Sequence, residues 1–581
     1  MTAASLRQTA DLRIGDPYES AKEKLFPRVR DRVLAEAAAA LETEQPALAE
    51  QLIARHLKKK PRDAEALNLM ADIARRAKRF EDSERLLSQC VVLAPERAGY
   101  RYNYAIVLRL LHKYEEALAA LDTLVERDPD NPLFLDQRAM VLSWLGRHDE
   151  SLAQRHTLVE AYPESADAWL RYARALRDTG FQDECLAAIR KALALAPTLA
   201  GCYSILAALK VYRFTQAETE RMEELIADKR LAPDDRTALH QALGKAYGDA
   251  ESYAKSFENY AKANAQRRLR TSFDGGSPSA HRAACERFFD ADFFRKRTGW
   301  GCDSRAPIFV VGLARSGSTL LEQILSSHSA IEGLGERADL DIALLQPLLN
   351  LRDEIQLDRI TNGNAVEKSG LVDAYIRIME RLGPDRFRLA GEHYLDLVAR
   401  NRVLGRPFFV DKTLRNFFYI GLIQLILPKA KIVDARRHPL DCGWSCFKSQ
   451  FPGSNFTFRL ADIGQDYANY VRLMDHFDRV LPGRVHRVIY EHLVADPRAE
   501  LLRLFDYLEL PFEESCLRFH ENPRAVMTQS SEQVRRPLYR SGMAQWVPYE
   551  PWLGPLKAAL GPVLDRYPDA PERDDISKAV P

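Results

Sequence analysis

Apolar and small residues in the amino-terminal half of the chain recur with a period of 34 residues, and within each period they follow the i, i+3, i+4 spacing of packed helices. A proline closes each period, and a bulky side chain often stands four residues before the repeated alanine. The repeated alanines are Ala37, Ala71, Ala105, Ala139, Ala173 and Ala207, and the repeated prolines are Pro61, Pro95, Pro129, Pro163 and Pro197. The pattern predicts a stack of helix pairs from about residue 30 to residue 233.

The unit at 98–131 illustrates the packing that this pattern predicts. The positions expected to face one another across its two helices are Tyr104, Ala105 and Leu108 on the first and Ala117, Leu121 and Leu124 on the second. Such a unit, with a small residue at the helix crossing and a proline after the second helix, resembles the tetratricopeptide repeat. Arrays of that family usually offer a groove to a peptide or protein segment. An array that only stiffens or dimerises an attached enzyme is the alternative.

The 34-residue period ends near residue 233, and the composition changes there. Residues 234–299 have the pattern of further helices followed by the Gly/Ser/Pro stretch SFDGGSPSAH, which indicates a linker. We therefore predict a helical cap at 1–29, the repeats at 30–233, a second helical cap and linker at 234–299, and another folded domain at 300–581. A chain of 581 residues is too long for one ordinary hydrophobic core, which agrees with this division.

The pattern from residue 306 predicts a buried strand, PIFVVG, followed by a turn and an amphipathic helix. The segment between them, Gly312 to Thr319, has the spacing of a nucleotide-binding P-loop, but Ser318 stands where that loop carries its lysine. The N–H groups at the start of a helix bind anions, and Arg315 can supply the missing positive charge. A strand, a phosphate-sized loop and a helix therefore follow one another here.

The replacement of the P-loop lysine by an earlier arginine resembles the 5′-phosphosulfate loop of sulfotransferases. A second strand, KIVDAR, leads into Arg437 and Ser445, which are eight residues apart and resemble the clamp that this family places on the 3′-phosphate of its donor. The resemblance implies an α/β domain with a parallel sheet and 3′-phosphoadenosine-5′-phosphosulfate (PAPS) as donor. The residues it implies for binding PAPS are Arg315, Ser316, Gly317, Ser318, Thr319, Arg437, Ser445, Tyr490 and Arg536.

Further matches over about 306–555 favour the branch of protein-tyrosine sulfotransferases. They include DKTLRN at the end of an apolar strand, YEHLV at the end of another, and SSEQVRRPLYRSGMAQW near the carboxy terminus. The resemblance implies that Lys412 neutralises the bridging oxygen of the donor and that Ser530 donates a hydrogen bond to the same region.

Glu336 is the residue that the resemblance favours as the base for the acceptor hydroxyl. This family carries two successive glutamates here and is taken to use the second, where this chain has Arg337. The departure leaves His393 and Asp339 as alternatives. A structural role for Glu336, paired with Arg337 or placed at a helix end, is the other interpretation.

The net charge and the cysteine content limit which binding partners and which cellular location can be expected. The net charge of +1 gives no global attraction to nucleic acid or to an anionic membrane, so any anion must bind to a local cluster. The eight cysteines form neither Cys-x-x-Cys pairs nor a disulfide scaffold. With no signal-like or membrane-spanning run, a cytoplasmic location is the expectation. We expect no metal, because the sulfuryl transfer requires none, and the sequence does not indicate the oligomeric state.

Two other functions compete with the sulfotransferase. One is a P-loop phosphotransferase that uses ATP, against which the missing lysine argues. The other is a non-catalytic scaffold with an inert nucleotide-binding domain. A polypeptide held by the repeats is the favoured acceptor, and carbohydrates, lipids and small phenols are the alternatives.

Overall fold

The computed structural model describes residues 17–26, 29, 31–43, 45–209, 211–269, 276–337, 339–340, 382–400, 402–449, 451, 456–524, 526 and 533–568. The described residues up to Tyr212, with Glu220–Leu239, form one compact unit, and Arg213–Thr219 with the described residues from His240 onward form a second. Among the described helices, none is long and apolar enough to cross a membrane. The four-part division expected from the sequence stays a prediction.

The first part of the chain folds into antiparallel helix pairs. Its helices, with the two that lead into the second unit, are Pro17–Leu25, Arg32–Glu42, Pro46–Lys59, Ala64–Arg76, Phe80–Leu93, Ala98–Leu110, Tyr114–Arg127, Pro132–Trp144, His148–Ala161, Ala166–Thr179, Gln182–Leu195, Ala200–Ala208, Gln216–Ala227 and Pro233–Asp249. Each repeated proline lies two residues beyond the end of a second helix, where a residue without an N–H cannot continue the helix. The tetratricopeptide-like repeat that the sequence predicts is confirmed.

The repeated alanines lie at the helix crossings, where a larger side chain would keep the two helices of a unit apart. Ala71 and Ala139 are buried, and the residue twelve positions later is also small. Where that residue is serine, its hydroxyl donates a hydrogen bond to the alanine carbonyl, from Ser83 at 2.8 Å and from Ser151 at 2.6 Å. The small residues therefore bring the two backbones close, which explains why the period is so regular.

The second unit contains a parallel sheet. Within the described residues its strands are β1 (Pro307–Gly312), β2 (Ile331–Gly333), β3 (Phe408–Asp411), β4 (Lys431–Arg436) and β5 (Val485–Ile489), in the order β2-β3-β1-β4-β5. The pairing is parallel throughout, and Gly312 at the end of β1 lies beside Ala435 near the end of β4. The central strand β1 is buried along its whole length, which matches its uninterrupted apolar sequence. The predicted α/β domain is confirmed.

Helices cover both faces of this sheet. They are Tyr253–Arg268, Gly276–Phe288, Ala291–Arg295, Ser318–Ser326, Pro384–Ala399, Ile420–Ile426, Pro439–Phe447, Leu460–Val480, Tyr490–Ala495, Pro497–Leu508, Gly554–Leu560 and Pro562–Asp565. Two apolar cores result, one on each face of β1, because Phe309 and Val311 point into one core and Ile308 and Val310 into the other. The loops that follow β3, β1 and β4 meet at the carboxyl edge of the sheet, where α/β proteins bind their ligands.

Candidate active site

The first candidate loop joins β1 to the helix Ser318–Ser326. Gly317 precedes this helix with φ of 91°, and a Cβ there would lie 2.7 Å from the ring of Tyr490. Arg315 also has a positive φ, 71°, which is uncommon for a residue with a side chain. The hydroxyl of Ser316 is buried and has no hydrogen-bond partner among the described residues. A buried, unpartnered hydroxyl beside a helix N-terminus fits an anion as its missing partner.

Two hydrogen bonds connect this loop to the segment after β4. Arg315 Nε donates to Ser445 Oγ at 2.9 Å, and Arg437 Nη1 donates to the carbonyl oxygen of Arg315 at 3.2 Å. Ser445 is buried on the helix Pro439–Phe447. The sequence had paired Ser445 with Arg437 as one clamp, and in the structure the serine accepts its hydrogen bond from Arg315. The two loops therefore form one cationic cluster.

Arg437 is the more enclosed of the two arginines in this cluster. Its guanidinium lies 4.9 Å above the ring of Tyr490, donates to the carbonyl oxygen of Gly542, and lies 3.7 Å from Asp441. Burial opposes its charge, but Asp441 raises the pKa of Arg437 above its ordinary value. Burial and the nearby Arg437 lower the pKa of Arg315. Two neighbouring guanidinium groups repel each other, so the cluster is suited to an anion that binds both.

Asp441 received no role from the sequence, although it holds part of this site. Besides facing Arg437, its buried carboxylate accepts hydrogen bonds from the backbone N–H groups of Ala544, at 2.7 Å, and Gln545, at 2.9 Å. These bonds fix the carboxy-terminal segment against the loop after β4. Its position four residues after Arg437, in the first turn of a helix, is the local signal that could have indicated this role.

The third loop, after β3, contains a buried ammonium and an exposed carboxylate in contact. Lys412 Nζ donates to Glu336 Oε1 at 2.7 Å, and the Lys412 side chain is 1% exposed whereas that of Glu336 is 60% exposed. Thr413 connects the same two segments, because its hydroxyl donates to the carbonyl of Arg337 at 2.8 Å and accepts from the Arg337 N–H at 2.7 Å. The structure therefore brings Glu336 and Lys412 together, and Glu336 pairs with Lys412 rather than with Arg337.

A second buried carboxylate supports this loop. Glu322, in the helix after the first loop, is 1% exposed, accepts a hydrogen bond from Gly335 N at 2.7 Å, and forms an ion pair with Arg524 Nη2 at 2.8 Å. Gly335 immediately precedes Glu336, so Glu322 holds the backbone that carries the candidate base. A glutamate inside the apolar helix LLEQIL was the signal for this role, but its partner Arg524 is about 200 residues away and could not be foreseen.

Asp411 is the last residue of β3 and directly precedes Lys412 in the chain. Its carboxylate accepts hydrogen bonds from Tyr394 Oη and from the Thr413 N–H, both at 3.0 Å. Burial raises the pKa of Asp411 to about 6, and the hydrogen bonds from Thr413 and Tyr394 oppose that rise. A carboxyl that titrates in this range stands next to the lysine of the third loop, which the sequence did not indicate.

The remaining predicted site residues lie in different settings. Asp339 is buried and paired with Arg337, whose Nε lies 2.7 Å from its carboxylate. His393 lies on the helix Pro384–Ala399, and its buried Nε2 has no hydrogen-bond partner among the described residues. Arg536 is exposed. Ser530 lies outside the described residues.

The arrangement has the chemical parts of an anion-binding transfer site. It contains the N–H groups at a helix start, the buried hydroxyl of Ser316, the guanidinium groups of Arg315 and Arg437, the ammonium of Lys412 and the solvent-exposed carboxylate of Glu336. No group of three or more His, Cys, Asp or Glu side chains that could hold a metal occurs among the described residues.

Comparison with known proteins decides the family of this region. Residues 307–514 match the model of the sulfotransferase family. The matched residues run from β1 to beyond β5 and include both cationic loops as well as Lys412 and Glu336. The second unit therefore carries a sulfotransferase-family domain, and the family resemblance drawn from its loops is confirmed.

Two relatives share sequence with this chain. One, described as an uncharacterized protein of Aquifex aeolicus (strain VF5), is 30% identical over 373 residues, covering 62% of this chain and 47% of its own. The chain thus spans about half the length of that relative. The other, named "Putative protein-tyrosine sulfotransferase" from Caenorhabditis briggsae, is 21% identical over 252 residues, covering 41% of this chain and 80% of its own.

Two solved structures resemble parts of this chain. The sulfotransferase domain from the curacin biosynthetic pathway is 18% identical, with a TM-score of 0.27, and the match covers 42% of this chain and 97% of that domain. YrrB, described as a TPR protein with an unusual peptide-binding site, is 17% identical, with a TM-score of 0.26, and the match covers 32% of this chain and 94% of that protein.

Proposed function

We propose that this chain is a PAPS-dependent sulfotransferase that transfers the sulfuryl group to a hydroxyl, with a polypeptide tyrosine as the favoured acceptor. One observation carries the proposal: Arg315 bonds to Ser445 and lies beside Arg437, so the loops after β1 and β4 form one cationic cluster at the edge of the sheet. A donor with phosphate groups at both its 5′ and 3′ positions would need two such loops side by side. The family of the domain supports the same conclusion.

The residues present fit this donor. The unpartnered hydroxyl of Ser316, the start of the helix Ser318–Ser326 and the side chain of Arg315 would hold its 5′ end. Arg437 and Ser445 would hold the 3′-phosphate, with Tyr490 packed between the loops. When bound, the donor supplies an activated sulfuryl group. Arg536 and Ser530 complete the set that we propose on resemblance alone.

The reaction needs a base and positive charge on the leaving side. A bond forms between the acceptor oxygen and sulfur while the bond from sulfur to the phosphate oxygen breaks, and the hydroxyl proton must leave. The exposed carboxylate of Glu336, which contacts Lys412, would accept that proton, and the Lys412 ammonium would neutralise charge on the bridging oxygen. For both to act, their 2.7 Å ion pair must open, with the ammonium turning toward the donor.

A polypeptide acceptor is favoured over small alcohols for two reasons. The chain resembles a protein named for tyrosine sulfation, and helical repeats of this type usually bind peptides. An ATP-dependent phosphotransfer is less well supported, because Ser318 replaces the P-loop lysine and the Arg437 loop would have no 3′-phosphate to bind.

The test is to measure release of adenosine 3′,5′-bisphosphate from PAPS in the presence of a tyrosine-containing peptide, a simple phenol or a sugar. We expect release that depends on the acceptor and is fastest with the peptide. No release with any acceptor would contradict the enzymatic proposal. Release with the sugar alone would contradict the proposed tyrosine acceptor, whereas the proposal that the chain is a sulfotransferase would still hold.

A further inference from the structure

The helix Pro17–Leu25 lies along the first helices of three consecutive repeats. Tyr18, Ala21 and Lys22 are buried and Leu25 is half-buried, whereas Ser20, Glu23 and Lys24 are exposed. The buried positions follow the spacing i, i+3, i+4 and i+7, which is how an amphipathic helix docks into a groove. The segment thus has the pattern of a peptide ligand rather than that of a repeat.

The Tyr18 end of this segment sits over a buried ionic cluster. Tyr18 packs with Val159 and Ala168, and the guanidinium of Arg171 lies 4.9 Å from the centre of its ring. Asp136 is 3% exposed and accepts from Arg171 Nη1 at 2.7 Å. Burial, and then Asp136, raise the pKa of Tyr18. An aromatic ring that covers an arginine paired with a buried aspartate is a specific anchor.

The other end approaches the repeats more closely than a side chain would allow. A Cβ on Gly99 would lie 2.7 Å from the carbonyl oxygen of Leu25, and the ring of Phe26 packs edge-on against Tyr102 at 6.2 Å. Gly99 is the second residue of the helix Ala98–Leu110. The docked segment therefore leaves no room for a side chain at position 99.

We propose that residues 17–26 are an intramolecular ligand of a peptide-binding site formed by the first helices of the repeats, and that a polypeptide partner with a similar tyrosine-anchored helix displaces them. A nine-residue helix is marginal on its own, so it stays folded only while docked. Its connection to the first repeat helix, Arg32–Glu42, is a few residues long, which keeps its effective concentration at the site high. The inference rests on the proposed function only in naming the displacing partner as its polypeptide acceptor.

The first test measures binding of a fluorescent peptide with the sequence of residues 16–28 to full-length variants. Tyr18→Ala in the protein should weaken the docking of its own residues 17–26 on the repeats. The peptide should therefore bind this variant at least about tenfold more tightly than it binds wild type. Adding Gly99→Ala should abolish that gain. Gly201→Ala is the matched control, because Gly201 occupies the equivalent repeat position and the atoms nearest to a Cβ there, from 2.7 Å, belong to the side chain of Leu170 rather than to backbone. Equal affinity of wild type and Tyr18→Ala for the peptide would overturn the proposal.

The second test needs no variant of the protein and covers the case in which Tyr18→Ala fails to fold. Hydrogen exchange of wild type is followed with and without an excess of the same peptide carrying Lys24→Arg, an exposed change that separates its mass from that of the native segment. Displacement should speed exchange across residues 17–26 by about tenfold or more, while the helix Ala98–Leu110 stays protected. Unchanged exchange in the segment would mean that it is a fixed part of the fold. Neither test uses PAPS or turnover, so failure of the proposed enzymatic function would be seen separately.

Discussion

Arg315 Nε lies 2.9 Å from Ser445 Oγ, so the cation that follows β1 is anchored on the helix that follows β4. The residues are 130 positions apart in the chain and meet because their strands are neighbours in the sheet. The side chain proposed to bind the 5′ end of the donor is thus positioned by a residue of the 3′ loop. A substitution in one loop should therefore change nucleotide binding at the other loop.

Ser445→Ala should weaken binding of both adenosine 3′,5′-bisphosphate and AMP. The change removes a hydrogen bond to a charged group, worth about 1.5–3 kcal/mol, and releases Arg315 from its position. Calorimetric titration of the two nucleotides measures the effect. The control is Ser515→Ala, which removes a hydroxyl that bonds to Glu513 at 3.3 Å. A loss confined to the bisphosphate would mean that Ser445 does not position Arg315 for the 5′ end.

Arg437→Ala should discriminate between the same two nucleotides. The loss of charge-assisted bonds to the 3′-phosphate should weaken binding of adenosine 3′,5′-bisphosphate by about 10- to 100-fold and binding of AMP far less. Arg518→Ala removes an arginine that is 56% exposed and serves as the control, with thermal unfolding as a check that both variants fold. Equal losses for the two nucleotides would show that Arg437 does not bind the 3′-phosphate.

Glu336→Gln should lower kcat by about 100-fold or more while leaving donor affinity unchanged or improved. The variant removes the proposed base and also releases Lys412 from its ion pair, so the ammonium becomes more available to the donor. Steady-state kinetics and donor binding together measure this split. Glu392→Gln, on an exposed glutamate paired with Arg388, should change neither quantity. A fall of less than about threefold in kcat would move the role of base to Asp339 or His393.

Sequence periodicity predicted the elements, but not which distant side chains meet. The prolines at 34-residue intervals and the apolar run of β1 are local signals, and both gave the right elements. The Glu322–Arg524 pair and the contact of Tyr18 with Arg171 join segments more than 150 residues apart. No local pattern encodes such contacts, since they depend on how the sheet and the repeats bring the chain together.

The same limit applies to the candidate site. Lys412 and Glu336 were each selected from local motifs, and their contact follows from β2 pairing with β3. The sequence paired Ser445 with Arg437, whereas in the structure Ser445 accepts its hydrogen bond from Arg315. Arg315 reaches Ser445 because it follows β1, which pairs with β4. Spacing in sequence thus identified the loops but not their internal partners.

Asp411 should carry a proton at a pH where an ordinary aspartate has lost it. Burial raises the pKa of Asp411 from its usual 3.8 to about 6 in the folded chain. The folded state therefore binds the proton more tightly than the unfolded state, so the Asp411 contribution to stability falls as pH rises from about 4 to 6 and stays low above it.

Infrared difference spectra between pH values of about 5 and 7 should show a protonated carboxyl that is absent from Asp411→Asn. Asp385→Asn, in which the replaced side chain is 88% exposed, should leave the band in place. The melting temperature of wild type relative to Asp411→Asn should also fall across the same interval. A band that survives in Asp411→Asn would assign the proton to another group.

The identity of the transferred group tests the central proposal most directly. Wild-type protein is given equal amounts of sulfur-labelled PAPS and γ-phosphate-labelled ATP, with a tyrosine-containing peptide, both with and without EDTA. Because we propose that Arg315, Arg437 and Lys412 supply the charge that Mg²⁺ supplies in ATP-dependent transfer, we expect sulfur label on the peptide, no phosphate label, and the same rate in EDTA. Phosphate label on the peptide, with transfer abolished by EDTA, would contradict the proposed sulfotransferase.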